Sequence, residues 1–382
     1  MDVRCTRRCF LQAAGATALA SGLSQADGEP AKPPRHSAPV AQFLGGLYAD
    51  RQQKLTFHPQ YPGGFETWQA EFRPVLRGLV GLDAIARHVG DHKPVVELGE
   101  PKARGNHTLQ HGTIETEPGV RNPFWLLKPA GRGPFPLAIL PHGHDRQGHD
   151  TYAGVFHTDA DRARALAQDR DVAVQAVERG FVAITPSIRG LADEAAGVPD
   201  AFDRHGRRNC RSQFMHAILA GRTAVGERVW DMMRLIDYAT TRSDVDASHL
   251  LMMGNSGGGV VTIYASALDT RITIAVPSCS FSVIASRRGR IYHCDCCAIP
   301  GILNAGELYD VAGLTAPRHF LAVNGRKDKL HTAEDIERSA QRVAAIYKAA
   351  GVPKRFAHKW GAEGHQFYKE LMWPFVERAM EA

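Results

Sequence analysis

The residue best placed for chemistry is the serine at the centre of Gly254-Asn255-Ser256-Gly257-Gly258. Residues 249–253 before it form an apolar run that reads as a short buried strand. Residues 260–268 after it have the length and alanine content of a helix. A serine on a sharp strand-to-helix turn is exposed for attack on an acyl carbon, and it sits in strained backbone. Gly254 and Gly258 remove side chains that would collide with the adjoining strand and helix. Gly257 lets the backbone N–H after the serine face a substrate. The competing reading is a glycine-rich turn with a serine helix cap.

A serine hydroxyl is a weak nucleophile at neutral pH, so it needs a base within hydrogen-bond reach and an acid to orient that base. On a strand–turn–helix scaffold the expected chain order is Ser, acid, His. The loop Asn324-Gly325-Arg326-Lys327-Asp328 follows an apolar strand, and Asp328 is the expected acid. The preceding strand runs into Pro277-Ser278-Cys279-Ser280-Phe281 and meets no carboxylate before Asp295. Of the later histidines, His331 is too close to Asp328 along the chain and His358 falls inside a strand. His365, on a post-strand loop between Gly364 and an aromatic helix start, is the expected base.

The tetrahedral intermediate also needs oxyanion donors, each worth about 3 kcal/mol of barrier. The Gly257 N–H is the first. The loop His142-Gly143-His144-Asp145 offers the second, the His144 N–H, with Gly143 permitting the turn. Two groups invite a metal reading. His142, His144 and His149, with Asp145 and Asp150 beside them, have no obvious scaffold, since no two of the histidines have the i, i+4 spacing of a helical pair. His293-Cys294-Asp295-Cys296-Cys297 crowds its donors into five residues with no second pair at zinc spacing. No metal is therefore expected.

The positioning elements alternate. Strands are expected at residues 124–127, 137–140, 181–185, 249–253, 272–276, 319–323 and 355–360, and helices at 160–180, 225–238, 260–268 and 333–349. Apolar strands alternating with long helices indicate an α/β fold, a mostly parallel sheet covered on both faces, with chemistry outside the carboxyl ends of the strands. Helical stretches at 38–53 and 65–82 point to an N-terminal helical extension spanning 39–117, after a Pro/Ala/Lys-rich linker at 27–38. The catalytic domain is expected over 118–382.

Gly221-Arg222-Thr223, Gly226-Glu227, Trp230-Asp231, Arg234 and Asp237-Tyr238 lead to Asp244-Val245-Asp246 and the serine turn. Ala267-Leu268-Asp269-Thr270-Arg271-Ile272, Pro300-Gly301, Ala316-Pro317-Arg318 and the Asp328 loop follow. In combination these resemble the acetylxylan-esterase-like and dienelactone-hydrolase-like α/β-hydrolases. The resemblance covers roughly residues 118–382. It implies one α/β-hydrolase domain, no cofactor, and hydrolysis of a small-molecule or carbohydrate ester through Ser256, Asp328 and His365. The Cys294–Cys297 cluster, and Gly143-His144-Asp145 where a further glycine is commoner, depart from it. A serine peptidase of the prolyl-oligopeptidase type shares fold and triad order, but residues 27–117 are too few for its β-propeller.

Thr6-Arg7-Arg8-Cys9-Phe10-Leu11-Gln12, a weakly apolar stretch to Leu23, and Ser24-Gln25-Ala26 resemble a bacterial twin-arginine export signal. The expected partner is the twin-arginine machinery and the expected location periplasmic or secreted. The apolar stretch is too short to span a bilayer and no lipobox cysteine follows it, so no stable membrane anchor is expected. Net charge is +6, with Lys and Arg scattered rather than striped, which argues against a nucleic-acid face. Beyond the signal stand Cys210, Cys279, Cys294, Cys296 and Cys297. An oxidising compartment leads one to expect some of them paired and at least one free.

Overall fold

The computed structural model describes residues 37–49, 53–192, 209–286 and 293–381. The twin-arginine segment and most of the linker lie outside them. The chain divides into two compact units, 1–46 and 47–382. In the first, helix α1 (Ala38–Ala49) begins, with Val40, Phe43 and Leu44 exposed.

In the second unit, α2 (Gly64–Leu79) and α3 (Leu82–Val89) are amphipathic. Phe65, Trp68, Phe72 and Leu76 recur every three or four residues and are buried, as are Leu82, Ile85 and Val89. Polar anchors fix them: Arg73 Nε donates to Ala267 O at 2.9 Å, and Trp68 Nε1 to Leu55 O at 2.7 Å. Residues 95–117 depart from the expected helical extension and form β1 (Val95–Leu98), β2 (Lys102–Arg104) and β3 (His107–Glu117). β1 and β2 lie along the outer side of β3, are largely in solvent and carry polar residues such as Glu97, Lys102 and Arg104. With no apolar run, their signal lies in pairing with the next strand.

The chain continues through β4 (Val120–Pro129), β5 (Phe135–Ile139), α4 (Gly148–Tyr152), α5 (Asp159–Ala167), α6 (Val172–Glu178) and β6 (Val182–Pro186). The helix expected over 160–180 is broken into α5 and α6. Asp169 between them has φ 53°, and its carboxylate pairs with Lys369 at 3.0 Å. Aspartate tolerates left-handed backbone better than most residues, so the helix stops there. Then follow α7 (Asn209–Leu219), α8 (Ala224–Ala239), β7 (Val245–Asn255), α9 (Gly257–Leu268), β8 (Ile274–Ser278), α10 (Ile302–Ala305), α11 (Leu308–Gly313), β9 (His319–Gly325), α12 (Ala333–Ala349), β10 (Phe356–Gly361) and α13 (Lys369–Met380).

The sheet order is β1-β3-β4-β6-β5-β7-β8-β9-β10, with β2 also on β3. Every pair from β6 to β10 is parallel, and the N-terminal strands add antiparallel pairs. Alternation along the central strands feeds two cores. Leu250 and Met252 join the cluster on one face, Leu251 and Met253 that on the other. This is the α/β-hydrolase arrangement: a mixed sheet with helices on both faces. Among the described residues no helix is long and apolar enough to cross a membrane.

Candidate active site

β7 ends at Asn255 and α9 starts at Gly257, so Ser256 occupies the turn, with φ 58° and ψ −124°. A non-glycine residue at positive φ costs of order 1–3 kcal/mol, held in place by its surroundings. The glycines make this turn possible. A Cβ on Gly254 would lie 2.5 Å from Gly258 C and O, and one on Gly258 would lie 1.9 Å from Pro141 O. Ser256 N donates to Ser278 O at 2.9 Å, which registers the turn on β8.

Asp328 lies on the loop after β9 and His365 on the loop after β10. His365 Nδ1 donates to Asp328 Oδ2 at 2.7 Å, and Leu330 N donates to Asp328 Oδ1 at 3.0 Å. Burial alone would raise the Asp328 pKa. The hydrogen bond and charge of His365 and the Leu330 N–H outweigh it and hold the carboxyl below its ordinary value. The loop that carries His365 is tied to the serine strand. Gln366 O accepts from Asn255 Nδ2 at 3.2 Å and from Ser278 Oγ at 3.0 Å. It is tied to the loop of Asp328 as well, through Arg326 N to Gly361 O and Lys327 N to Glu363 O.

Ser256, Asp328 and His365 line one open pocket of about 520 Å³ with His144, His293, Cys294, Lys329 and Leu330. A depression of about 640 Å³ elsewhere, around Gly154–Arg162, lacks a residue built as a nucleophile. Within the 520 Å³ pocket Ser256 Oγ shares its hydrogen bond with Nε2 of His293, at 3.2 Å. The sequence reading missed this residue as a neighbour of the serine. His293 precedes α10 in a long connection after β8, and no periodicity marks it. Its ring centroid is 6.4 Å from His365, 6.2 Å from His144 and 5.9 Å from His331. Burial, and then the neighbouring histidines, push its pKa down to about 3, so it is neutral.

Gly143 packs directly on the turn. A Cβ there would lie 2.8 Å from Ser256 Cβ and 3.2 Å from Gly257 N. The His144 ring faces Gly257, whose own Cβ position is 3.2 Å from His144 Nδ1. His142 is buried: its Nδ1 donates to Gly143 O at 2.7 Å and its Nε2 accepts from Ile188 N at 3.0 Å. Asp150 accepts from Trp125 Nε1 at 2.7 Å and pairs with His157 at 2.9 Å. His358 contacts Asn324 Oδ1 at 3.2 Å from within β10.

The expected disulfides are not formed: Cys210, Cys279, Cys294, Cys296 and Cys297 are free thiols. Folding brings His144 and Cys210 to Cys294 and Cys296, supplying from distant parts of the chain the donors that the local stretch lacks. Beneath the site, Arg189 and Arg222 pair with Glu117, Glu227 and Asp231, all in or next to β3, β6 and α8. The motif Arg222…Glu227…Asp231 thus forms a buried ionic network.

No protein-family model matches the chain. It is 24% identical over 308 residues to the Bacillus subtilis protein named "Putative hydrolase YtaP", covering 78% of this chain and 94% of that one. Its fold is similar to that of a "putative acetyl xylan esterase" from Bacteroides fragilis, with a TM-score of 0.69 at 15% identity over 93% of this chain and 96% of that one. A glucuronoyl esterase from Solibacter usitatus aligns with a TM-score of 0.58 at 16% identity, over 83% of this chain and 93% of that one.

Proposed function

We propose that the protein is an exported serine carboxylic-ester hydrolase acting on a carbohydrate or small-molecule ester. The single observation that carries this reading is the Asp328–His365 pair at 2.7 Å, which lines the same pocket as a serine in a strained strand-to-helix turn. In the proposed mechanism Ser256 attacks the acyl carbon and His365 takes its proton. Asp328 stays ionised and stabilises the imidazolium that forms. Gly257 N–H and His144 N–H receive the developing oxyanion. His365 then returns the proton to the leaving alcohol, and water repeats the sequence on the acyl-enzyme. Because the hydroxyl rests against His293, turning toward His365 is part of the first step.

The esterase names of the fold neighbours support a sugar-linked ester, an acetyl or a uronoyl ester. The twin-arginine sequence supports export to the periplasm or beyond. Hydrolysis of a short-chain aryl acetate, lost by about 10³-fold or more in Ser256→Ala, tests the assignment. So does labelling of Ser256 by a fluorophosphonate. Undiminished turnover by the variant refutes it, and cleavage of a proline-containing amide without ester turnover would favour a peptidase. A screen over acetylated xylan, glucuronoyl, feruloyl and aryl esters then defines the acyl and alcohol groups.

A further inference from the structure

Beside the nucleophile, one donor atom from each of His144, Cys210, Cys294 and Cys296 lies within 4.8 Å of the other three. The four come from three separated stretches: the loop after β5, helix α7, and the connection before α10. Cys296 Sγ stands 3.5 Å from His144 Nε2. A tetrahedral zinc with sulfur bonds of about 2.3 Å sets its ligands about 3.8 Å apart, so closure asks for a contraction of no more than about 1 Å.

A second observation concerns charge. Arg228 is a buried cation, 1% exposed. Its guanidinium donates to Arg189 O at 3.0 Å, Gln213 Oε1 at 3.0 Å and Cys296 Sγ at 3.2 Å. Two of these acceptors are neutral, and among the described residues no carboxylate pairs with it. Buried charges are paired or stand beside a metal centre, and the contact that Arg228 makes toward the four donors is to the Cys296 sulfur.

We propose that His144, Cys210, Cys294 and Cys296 bind one zinc ion in a tetrahedral site of three sulfurs and one nitrogen. Zinc with three thiolates and a neutral imidazole carries one net negative charge, which Arg228 neutralises. Soft thiolate donors in this geometry select zinc over magnesium or calcium. Four protein ligands leave no open position, so the ion is structural. It ties α7 and the His293 connection to the loop that borders Gly257. Ligation through Nε2 also places the His144 proton on Nδ1, the ring atom that faces Gly257. A chain exported already folded would carry its zinc with it and keep these thiols from oxidation.

The test uses the untagged full chain, expressed with added zinc and dialysed against metal-free buffer. Elemental analysis is expected to find about one zinc per chain, falling below ~0.2 in Cys210→Ser and in Cys296→Ser. Should either variant fail to accumulate, cobalt-grown wild type keeps the question answerable. It is expected to show the intense visible bands of tetrahedral cobalt together with thiolate charge transfer. Wild type holding less than ~0.1 zinc per chain overturns the proposal. So does peptide mapping that finds Cys210 disulfide-bonded to Cys294 or Cys296. None of these readouts depends on ester turnover, so their failure leaves the proposed triad untouched.

Discussion

Ser256 Oγ lies 3.2 Å from Nε2 of His293, whereas the imidazole hydrogen-bonded to a carboxylate is His365, 2.7 Å from Asp328. Two histidines therefore compete for one hydroxyl, and kinetics separates them. His365→Ala is expected to lower kcat/KM by about 10³-fold or more, because it removes the proposed base, the one paired with Asp328. His293→Asn is expected to cost less than about tenfold, since an amide can replace a neutral hydrogen-bond partner. The reverse ranking in aryl acetate assays would transfer the base role to His293.

Asp328→Asn keeps the shape of the loop but not the charge, and about 10³–10⁴-fold of kcat is expected to go. The same variant reports on stability. The folded-state pKa of Asp328 is depressed from its ordinary 3.8. Its contribution is therefore full above that value and lost as pH falls through the depressed folded value. Thermal melts should show wild type ahead of the variant at neutral pH, with the gap closing only below about pH 4.

The turn tolerates no added carbon. In Gly258→Ala the new methyl would sit 1.9 Å from Pro141 O, backbone that cannot swing aside. Loss of soluble, folded protein is expected. Gly143→Ala meets Asn255 O at 2.7 Å and Ser256 Cβ at 2.8 Å. With backbone on both sides this loop is expected to be displaced, giving a folded protein whose kcat is about 10–100-fold lower, the proposed oxyanion donor having moved. Circular dichroism beside the activity assay tells the two outcomes apart.

Acid sensitivity should trace to His142. Burial, and then the neighbouring His149, push its pKa from the ordinary 6.5 down to about 3, and Ile188 N–H occupies the nitrogen that would take the proton. The unfolded chain binds that proton below pH 6.5 and the folded chain does not. Stability is thus full above pH 6.5 and falls by ~1.4 kcal/mol per pH unit below it, until the folded group titrates. His142→Asn is expected to start from a lower Tm at pH 7 yet lose less on going to pH 4. Parallel Tm profiles for the two proteins would remove His142 from the explanation.

Arg189 contacts Glu117 at 2.8 Å and Asp231 at 2.7 Å, with 12% of its side chain exposed. Arg189→Ala strands the buried Asp231 carboxylate, leaving it the Thr116 hydroxyl, while Glu117 keeps Arg222. A loss of about 3–5 kcal/mol by denaturant unfolding is expected. A change below about 1 kcal/mol would show that Asp231 does not depend on the Arg189 charge.

What the amino-acid order determined was the framework and the members of the proposed triad. Buried parallel strands such as residues 250–253 are continuous apolar runs, and the serine turn announces itself because only glycine fits around it. Helix α12 was legible to the residue, from Ala333 to Ala349. The polar edge strands at 95–117 were not, since their stability comes from partners rather than composition. Neither was the break at Asp169, which takes left-handed backbone, φ 53°, at a position that no local pattern marks. Only the tertiary structure decided that His293 reaches Ser256, that the cysteines stand unpaired, and that Cys210 and His144 close on Cys294 and Cys296. Contacts between loops are set by where strands end in space, and local spacing along the chain carries no record of that.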